Sequence, residues 1–148
     1  MRTIDAAVRT GVHGDAAKQL NVITRRHRAK IAKYRSVLAR IFDDVWHQGK
    51  AVSWLDVGAG YGEVLEAVKG LAPLGSHIEG IEPMAPKAAR AQALGLNVVE
   101  GYLQRGHPKV DIISVIDVFS HIPSFDRFLT DVRDTLNPGG EILVVTGN

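Results

Sequence analysis

Apolar residues recur along the chain in two different patterns of spacing. Between about residues 23 and 48 they return at steps of three and four, which predicts an amphipathic helix. Residues 1–22 are weakly patterned, and we expect a loose arm there with at most a short helix. From residue 52 onward, short apolar runs alternate with helical stretches, a pattern typical of strand–helix–strand units. The apolar stripe of the long helix, where Tyr34 is expected to be a core residue, consists of Ile31, Tyr34, Leu38, Ile41 and Val45.

The alternating region predicts a parallel sheet. Residues 110–116 are almost continuously apolar, as a central strand buried on both faces requires. The predicted fold class is α/β, a doubly wound parallel sheet with helices on both faces. Residues 1–50 are predicted to form an N-terminal helical extension, made of the arm and the basic amphipathic helix, and residues 51–148 are predicted to form the sheet domain. Strands are predicted at residues 52–57, 77–82, 97–100, 110–116 and 141–145, and helices at residues 63–70, 86–94 and 124–136.

The last predicted helix and the turn after it are marked by specific residue types. Ser124 is a suitable N-cap for the helix. Residues 137–140, Asn-Pro-Gly-Gly, predict a turn before the fifth strand. The side chains expected to face the core from this helix are Phe125, Phe128, Leu129 and Val132.

Composition excludes several classes of protein. The 148 residues include no cysteine, which excludes a disulfide framework, a thiolate nucleophile and cysteine-based zinc sites. The histidines and carboxylates have no metal-ligand spacing, so we expect no metal. No apolar run approaches the ~18 residues of a membrane span, and the chain does not open on an apolar leader. A cytoplasmic protein without membrane contact is therefore expected.

Charge is distributed unevenly. Residues 1–50 hold 11 Lys and Arg against 4 Asp and Glu, whereas residues 51–148 hold 7 against 12. The basic excess is concentrated between Arg25 and Arg35. Such a segment can bind nucleic acid, but it also fits a solvated helix face. No aromatic residues interleave the charges as a base-stacking surface requires, and we therefore favour the solvated face over a nucleic-acid partner.

A glycine-rich loop follows the first predicted strand. In a doubly wound sheet, ligands bind beyond the carboxyl ends of the strands, and glycines there let a ligand approach the backbone. The spacing is Gly-x-Gly-x-Gly over residues 58–62, whereas the dinucleotide fingerprint has its third glycine where Glu63 stands. The charge of Glu63 disfavours a pyrophosphate there, and no Walker A lysine follows. Glu82, 26 residues after Asp56, ends the second strand, where a carboxylate can bind ribose hydroxyls.

These features resemble a known family. Residues 54–62, Trp-Leu-Asp-Val-Gly-Ala-Gly-Tyr-Gly, look like motif I of the class I S-adenosylmethionine-dependent methyltransferases, and Glu82 matches the acidic residue after their second strand. Residues 111–122 are similar to the strand-four motif of the family, and residues 136–145 are similar to its turn into strand five. The resemblance covers residues 52–147. It is greatest to small-molecule enzymes of the ubiquinone-biosynthesis and sugar-methylating kind.

The resemblance implies a Rossmann-like fold and S-adenosylmethionine as cofactor. The glycine loop would lie under the methionine part, and Glu82 would bind the ribose. Many family members carry Gly-Asp after strand three, where the Asp binds the adenine amino group. This chain departs from that pattern with Gly101 and Tyr102, and Tyr102 could instead stack on adenine. The implied cofactor-binding residues are Asp56, Gly58, Ala59, Gly60, Tyr61, Glu82, Pro83, Tyr102, Leu103, Asp117 and Val118.

The expected reaction is transfer of a methyl group to a small-molecule acceptor, with oxygen as the favoured acceptor atom. An oxygen nucleophile usually needs a base, and imidazole changes charge near neutral pH. His121 follows strand four at the mouth of the expected crevice, and we assign it as the candidate base. The alternative is a histidine that only hydrogen-bonds the start of the helix at Ser124. Two other functions stay open, namely a non-catalytic cofactor-binding or regulatory module and an RNA-contacting methyltransferase.

The family sheet has seven strands in the order 3-2-1-4-5-7-6, and the resemblance implies that strands six and seven are absent here. Strand five would then be an apolar edge at residues 142–145. An exposed edge of this kind pairs readily with another chain, so a homodimer through it is one expectation. Three explanations are open: a fragment of a longer enzyme, which we favour; a shortened member that dimerises; and a degenerate relative without activity.

Overall fold

A computed structural model describes residues 13–147, with side chains described from residue 22 onward. Two helices precede an alternation of strands and helices. A 3₁₀ turn, Phe119–His121, lies between the fourth strand and the last helix. The elements in chain order are α1 His13–Ile41, α2 Asp43–His47, β1 Ser53–Val57, α3 Glu63–Lys69, β2 His77–Glu82, α4 Ala85–Ala93, β3 Val98–Glu100, β4 Val110–Ile116, α5 Phe125–Thr135 and β5 Leu136–Val145.

The five strands form one parallel sheet in the order β3-β2-β1-β4-β5. The chain winds outward in one direction from β1 through β2 to β3, and then crosses to β4 and β5 on the other side. The predicted α/β fold, a doubly wound Rossmann-like sheet, is confirmed. The point where the winding direction changes lies between β1 and β4, and a crevice forms there beyond the carboxyl ends of the strands.

Apolar side chains cover both faces of the sheet. One cluster joins α5 to the sheet through Phe128 and Val132. On the other face, Leu38 of α1 and Phe42, at the break between α1 and α2, pack with Trp54 of β1 and with α3. β4 contributes to both clusters, as expected for the central strand: its residues from Ile112 to Val115 are all buried. α1 is therefore part of the packed structure that supports the crevice.

The N-terminal helix differs from its prediction at both ends. α1 already begins at His13, so residues 13–22 are helical where a loose arm was predicted, and residues 1–12 lie outside the described part of the chain. Ile41, predicted in the apolar stripe, is 51% exposed, whereas Phe42 is only 3% exposed. The helix breaks at Phe42 before α2 starts, and this break turns Phe42 instead of Ile41 toward the core.

Three predictions near the end of the chain are also wrong in detail. Phe128 and Val132 are buried, but Phe125 and Leu129, which flank this face of α5, are exposed. Ser124 precedes α5 without making a side-chain capping hydrogen bond. Residues 137–140 belong to β5, whose pairing with β4 shifts in register at Asp111 instead of breaking into a separate turn.

β5 is the edge of the sheet within residues 13–147 and pairs only with β4 there. Ile142, Val144 and Val145 are all exposed along this strand. The apolar edge predicted from the sequence is therefore present in the part of the chain that the structure describes. Within the same residues, none of the helices has the length and apolar character needed to cross a bilayer.

Candidate functional site

Two adjoining cavities open beyond the carboxyl ends of the strands. The first, which we name the acidic cavity, has a volume of about 500 Å³ and is lined by four carboxylates. The second, the apolar cavity, has a volume of about 580 Å³ and extends between the β3–β4 connection and α5. Both cavities are lined by Gly58, Pro83, Tyr102, Val118 and His121. The carboxylates of the acidic cavity belong to Asp56, Glu63, Glu82 and Asp117.

The structure brings together nearly all the residues that the sequence singled out. Leu103 lines the apolar cavity. Tyr61 is the exception, because it belongs to neither lining. Its ring is exposed, and Lys87 Nζ lies 5.8 Å from the ring centroid. The predicted residues that line the acidic cavity are Asp56, Gly58, Ala59, Gly60, Glu82, Pro83, Tyr102, Asp117, Val118 and His121.

The glycine loop is fixed by its backbone. The N–H groups of Gly58 and Ala59 both donate to the carbonyl of Ile81, at 2.8 and 3.0 Å. Gly58 and Gly60 have φ values of +78° and +57°, in the left-handed region that favours glycine. A Cβ atom on Gly58 would overlap the side chain of Val118, whereas one on Gly60 would meet only Glu63 Oε2 at 3.8 Å. Gly58 therefore allows close packing, and Gly60 leaves space open beside the cavity.

Glu82 ties the glycine loop to the end of β2. It is only 4% exposed. Its Oε2 accepts a hydrogen bond from the Gly60 N–H at 2.8 Å, and its Oε1 accepts one from the Met84 N–H at 2.9 Å. A carboxylate oxygen can accept a second hydrogen bond, so Glu82 can still bind hydroxyl groups of a ligand in the cavity. The sequence did not indicate that Glu82 also shapes the loop.

Asp56 is the most deeply buried carboxylate of the acidic cavity, at 2% exposed. Its Oδ1 accepts a hydrogen bond of 2.5 Å from the Ser114 hydroxyl. Ser114 Oγ in turn accepts one of 2.9 Å from the indole N–H of Trp54. Burial raises the pKa of Asp56 to about 7, and the charges of Glu63 and Glu82 act in the same direction while the Ser114 hydrogen bond opposes them.

Asp111 lies at the opposite end of β4, and its pKa is lowered where that of Asp56 is raised. Burial acts to raise its pKa, but hydrogen bonds from the Ser53 N–H, the Asn137 amide and the Ser53 hydroxyl together lower the pKa. Asp111 therefore serves as a charged structural residue that joins β1, β4 and β5. Asp56 accepts fewer hydrogen bonds than Asp111, so the rise in its pKa caused by burial is largely uncompensated.

The N-terminal helix supplies residues that sequence reasoning missed. Lys30 and Tyr34 of α1 line the acidic cavity. Glu63 Oε1 lies 3.5 Å from Lys30 Nζ and 3.8 Å from His27 Nδ1, and Glu63 is itself buried. Burial raises the pKa of the Tyr34 phenol, and Lys30 opposes that shift. Tyr34 thus packs against the core, as expected, and also faces the cavity. The helical spacing of Lys30 and Tyr34 was a possible signal, but nothing in the sequence showed where α1 docks.

Asp117 and His121 follow β4. Asp117 has φ +56°, rare for a residue with a side chain, and its Oδ1 accepts a hydrogen bond of 2.7 Å from the Gly147 N–H. His121 lies at the junction of the two cavities, in the 3₁₀ turn. Its imidazole makes no hydrogen bond to the described residues, so the alternative contact with the start of α5 is not seen there. Among the side chains that the structure describes, from residue 22 to residue 147, no three His, Asp or Glu groups lie so that they could hold a metal ion.

The sequence matches a family model described as a methyltransferase domain over residues 24–148. The chain belongs to this methyltransferase domain family. The matched region starts inside α1, so the helix that supplies Lys30 and Tyr34 lies within it together with the whole sheet. The family resemblance inferred from motif I, Glu82 and the strand-four and strand-five segments is confirmed. A comparison with the curated proteins finds no match.

Solved structures show the same fold. The plantazolicin methyltransferase in complex with SAH has a TM-score of 0.68 and 20% identity, over 86% of this chain and 53% of that one. A protein from Methanococcus maripaludis, described as an S-adenosyl-L-methionine-dependent methyltransferase, has a TM-score of 0.69 and 16% identity over 90% and 63%. Coclaurine N-methyltransferase bound to N-methylheliamine and SAH has a TM-score of 0.60 and 14% identity over 74% and 35%. The chain therefore spans between about a third and two thirds of the length of these structures.

Proposed function

We propose that this chain binds S-adenosylmethionine and forms the cofactor-binding part of a methyltransferase. Membership of the family carries the proposal, and the chemistry of the acidic cavity fits it. S-adenosylmethionine has a sulfonium and an ammonium group, and four carboxylates line this cavity. A dinucleotide would instead bring a pyrophosphate next to Glu63 and Glu82, where like charges would oppose binding.

The lining residues suggest how the cofactor would be held. Glu82 would accept hydrogen bonds from the ribose hydroxyls with its free lone pairs. The open space beside Gly60 would take the methionine part, with Lys30 as a cationic partner for its carboxylate. Tyr102 and Val118, which line both cavities, would enclose the adenine from the side of the apolar cavity. These assignments are supported by the side chains that line each of the two cavities.

The proposed acceptor is a small molecule that enters near His121. Bound S-adenosylmethionine supplies an electrophilic methyl group, so the protein needs mainly to align the acceptor and to limit water. If the acceptor atom is a hydroxyl oxygen, the imidazole of His121, which has no partner among the described residues, can take its proton. The apolar walls of the larger cavity favour an acceptor with an apolar body.

The second candidate is a module that binds the cofactor without turnover. The carboxylates of the acidic cavity support cofactor binding equally in a chain with and in a chain without turnover. Binding would then resemble that of an active enzyme, but no methyl group would be transferred. A turnover assay with a panel of hydroxyl-bearing and amine-bearing acceptors separates the two candidates once cofactor binding has been measured.

Calorimetric titration with S-adenosylmethionine, SAH and NAD tests the proposal. We expect the first two to bind and NAD not to bind. Glu82→Gln should weaken binding by about 1.5–3 kcal/mol, the scale of a hydrogen bond to a charged group. Glu100 is the register partner of Glu82 on the neighbouring strand β3, and its side chain is exposed. Glu100→Gln is therefore the matched control and should bind the cofactor as the wild type does. Unchanged affinity in Glu82→Gln would contradict the assignment of the ribose site.

A further inference from the structure

Asp56 lies at the floor of the acidic cavity, where several charged groups meet. Glu63 approaches it from α3 and Glu82 from β2, and both charges act on Asp56. In the part of the chain that the structure describes, Ser114 is the only donor of a hydrogen bond to its carboxyl group. The other titratable groups that line the same cavity are Lys30, Tyr34, Lys87, Asp117 and His121.

The hydrogen bonds beneath the cavity determine where a proton on Asp56 can reside. The indole N–H of Trp54 can only donate, so it uses a lone pair of Ser114 Oγ. The single hydroxyl proton of Ser114 then points to Asp56 Oδ1. Oδ1 is therefore an acceptor in both charge states, and a neutral Asp56 carries its proton on Oδ2. Oδ2 accepts no hydrogen bond from the side chains described, those of residues 22–147, and Asp56 belongs to the cavity lining.

The charge of Asp56 consequently depends on what fills the cavity. In the free protein, burial and two neighbouring carboxylates bring its pKa to about 7, so neutral and ionised Asp56 coexist near neutral pH. A cation in the cavity favours the ionised form, because it offsets the repulsion by Glu63 and Glu82. A ligand with no net charge does so much less.

We propose that Asp56 discriminates the cationic cofactor from its neutral product by releasing a proton to solvent when the cofactor binds. This inference rests on the proposed function. S-adenosylmethionine carries a sulfonium charge that SAH lacks, while the two ligands share the adenosine, ammonium and carboxylate groups. Ionised Asp56 favours the ligand with the extra positive charge. Neutral Asp56 lacks that preference. When Asp56 is protonated, S-adenosylmethionine therefore has less advantage over SAH in competing for the cavity.

Proton-linked calorimetry tests the inference without any activity measurement. Each ligand is titrated between pH 5.5 and 8.5 in buffers of different ionisation enthalpy. Near pH 7 we expect release of a fraction of a proton per S-adenosylmethionine bound, and a smaller release with SAH. The ratio of the two affinities should favour S-adenosylmethionine increasingly as pH rises, by roughly tenfold between pH 6 and 8, and should level off above pH 8.

Three variants sharpen the test: one of Asp56 itself, one of a neighbouring carboxylate and one of a carboxylate outside both cavities. Asp56→Asn keeps an acceptor for Ser114 but cannot ionise, and it should give an affinity ratio that does not change with pH. Glu63→Gln removes a charge that raises the pKa of Asp56, and it should move the midpoint of the pH profile to lower pH. Glu100→Gln, outside both cavities, should leave the midpoint unchanged. If Asp56→Asn fails to fold, a midpoint that shifts in Glu63→Gln but not in Glu100→Gln still supports the inference, and a midpoint unchanged in both overturns it.

The possible outcomes separate this inference from the proposed function. If the wild type binds both ligands with an affinity ratio independent of pH and without proton release, the role of Asp56 is wrong while cofactor binding stands. If neither ligand binds at any pH, the proposed function itself fails and the inference fails with it. If the pH dependence persists unchanged in Asp56→Asn, another group carries the proton and the assignment to Asp56 is overturned.

Discussion

Gly58 and Gly60 offer a sharp test of how the glycine loop is built, because the same substitution should have different effects at the two positions. Both residues have positive φ, so alanine at either one forces a side chain into a left-handed conformation, at a cost of about 1–2 kcal/mol. Only at Gly58 does the added Cβ also overlap Val118. Overpacking of this kind costs a further ~1–3 kcal/mol.

The expected loss in the free energy of unfolding is therefore about 2–5 kcal/mol for Gly58→Ala and about 1–2 kcal/mol for Gly60→Ala. Urea denaturation of the free protein, followed by circular dichroism, measures both. The double variant Gly58→Ala/Val118→Ala should not carry the overlap penalty, so its loss should be smaller than the losses of the two single variants added together. The Cβ of Gly60→Ala would have only Glu63 Oε2 within 4 Å. This variant should therefore lose more free energy of cofactor binding than free energy of unfolding.

The reasoning about close packing would be refuted if Gly58→Ala were no less stable than Gly60→Ala, or if the effects of Gly58→Ala and Val118→Ala were simply additive. Either result would mean that the loop and the segment after β4 move apart at little cost. The Ile81 carbonyl, which accepts from both Gly58 and Ala59, makes such a movement costly because it would break two hydrogen bonds.

Two further predictions concern His121 and the β5 edge. In the complete enzyme with a hydroxyl acceptor, His121→Ala should lower turnover ~10²–10⁴-fold and leave the affinity for SAH nearly unchanged, and turnover at the wild-type rate would exclude His121 as the base. The 148-residue chain should associate with a second copy through the exposed residues of β5, and Val144→Lys should reduce that association in light scattering because the buried charge would lack a partner. A wild-type monomer at all concentrations would contradict the second prediction.

The sheet and most of the site were predictable because both depend on local patterns. Continuous burial of β4 follows from its apolar run, and a strand, a glycine loop and a helix in succession place Asp56, Gly58 and Gly60 at the carboxyl edge of the sheet. Glu82 was predictable for the same reason, since it ends the strand next to β1. The exposed position of Tyr61 was not predictable, because a motif gives the order of its residues but not the side on which each side chain leaves a tight loop.

What could not be predicted depends on how α1 docks. A helical stripe shows that one face is buried, but it does not show against what, and Lys30 stands in a segment that reads as a solvated basic face. The break at Phe42 was also hidden, because Ile41 and Phe42 are both apolar and only the packing against Trp54 selects between them. Arg25, Arg26 and Arg28 are exposed, whereas Lys30 and Tyr34 of the same helix line the cavity.

Glu63 shows how this docking changes the meaning of a motif position. From the sequence, its charge only disfavours a pyrophosphate. In the structure it is buried, held by Lys30 and His27 of α1, and raises the pKa of Asp56. Lys30 therefore partly neutralises, in the free protein, the carboxylates that would attract a cationic ligand. Glu63, which stands where the dinucleotide fingerprint has its third glycine, thus also makes the proposed cavity responsive to positive charge, and α1 supplies Lys30, the cationic side chain beside it.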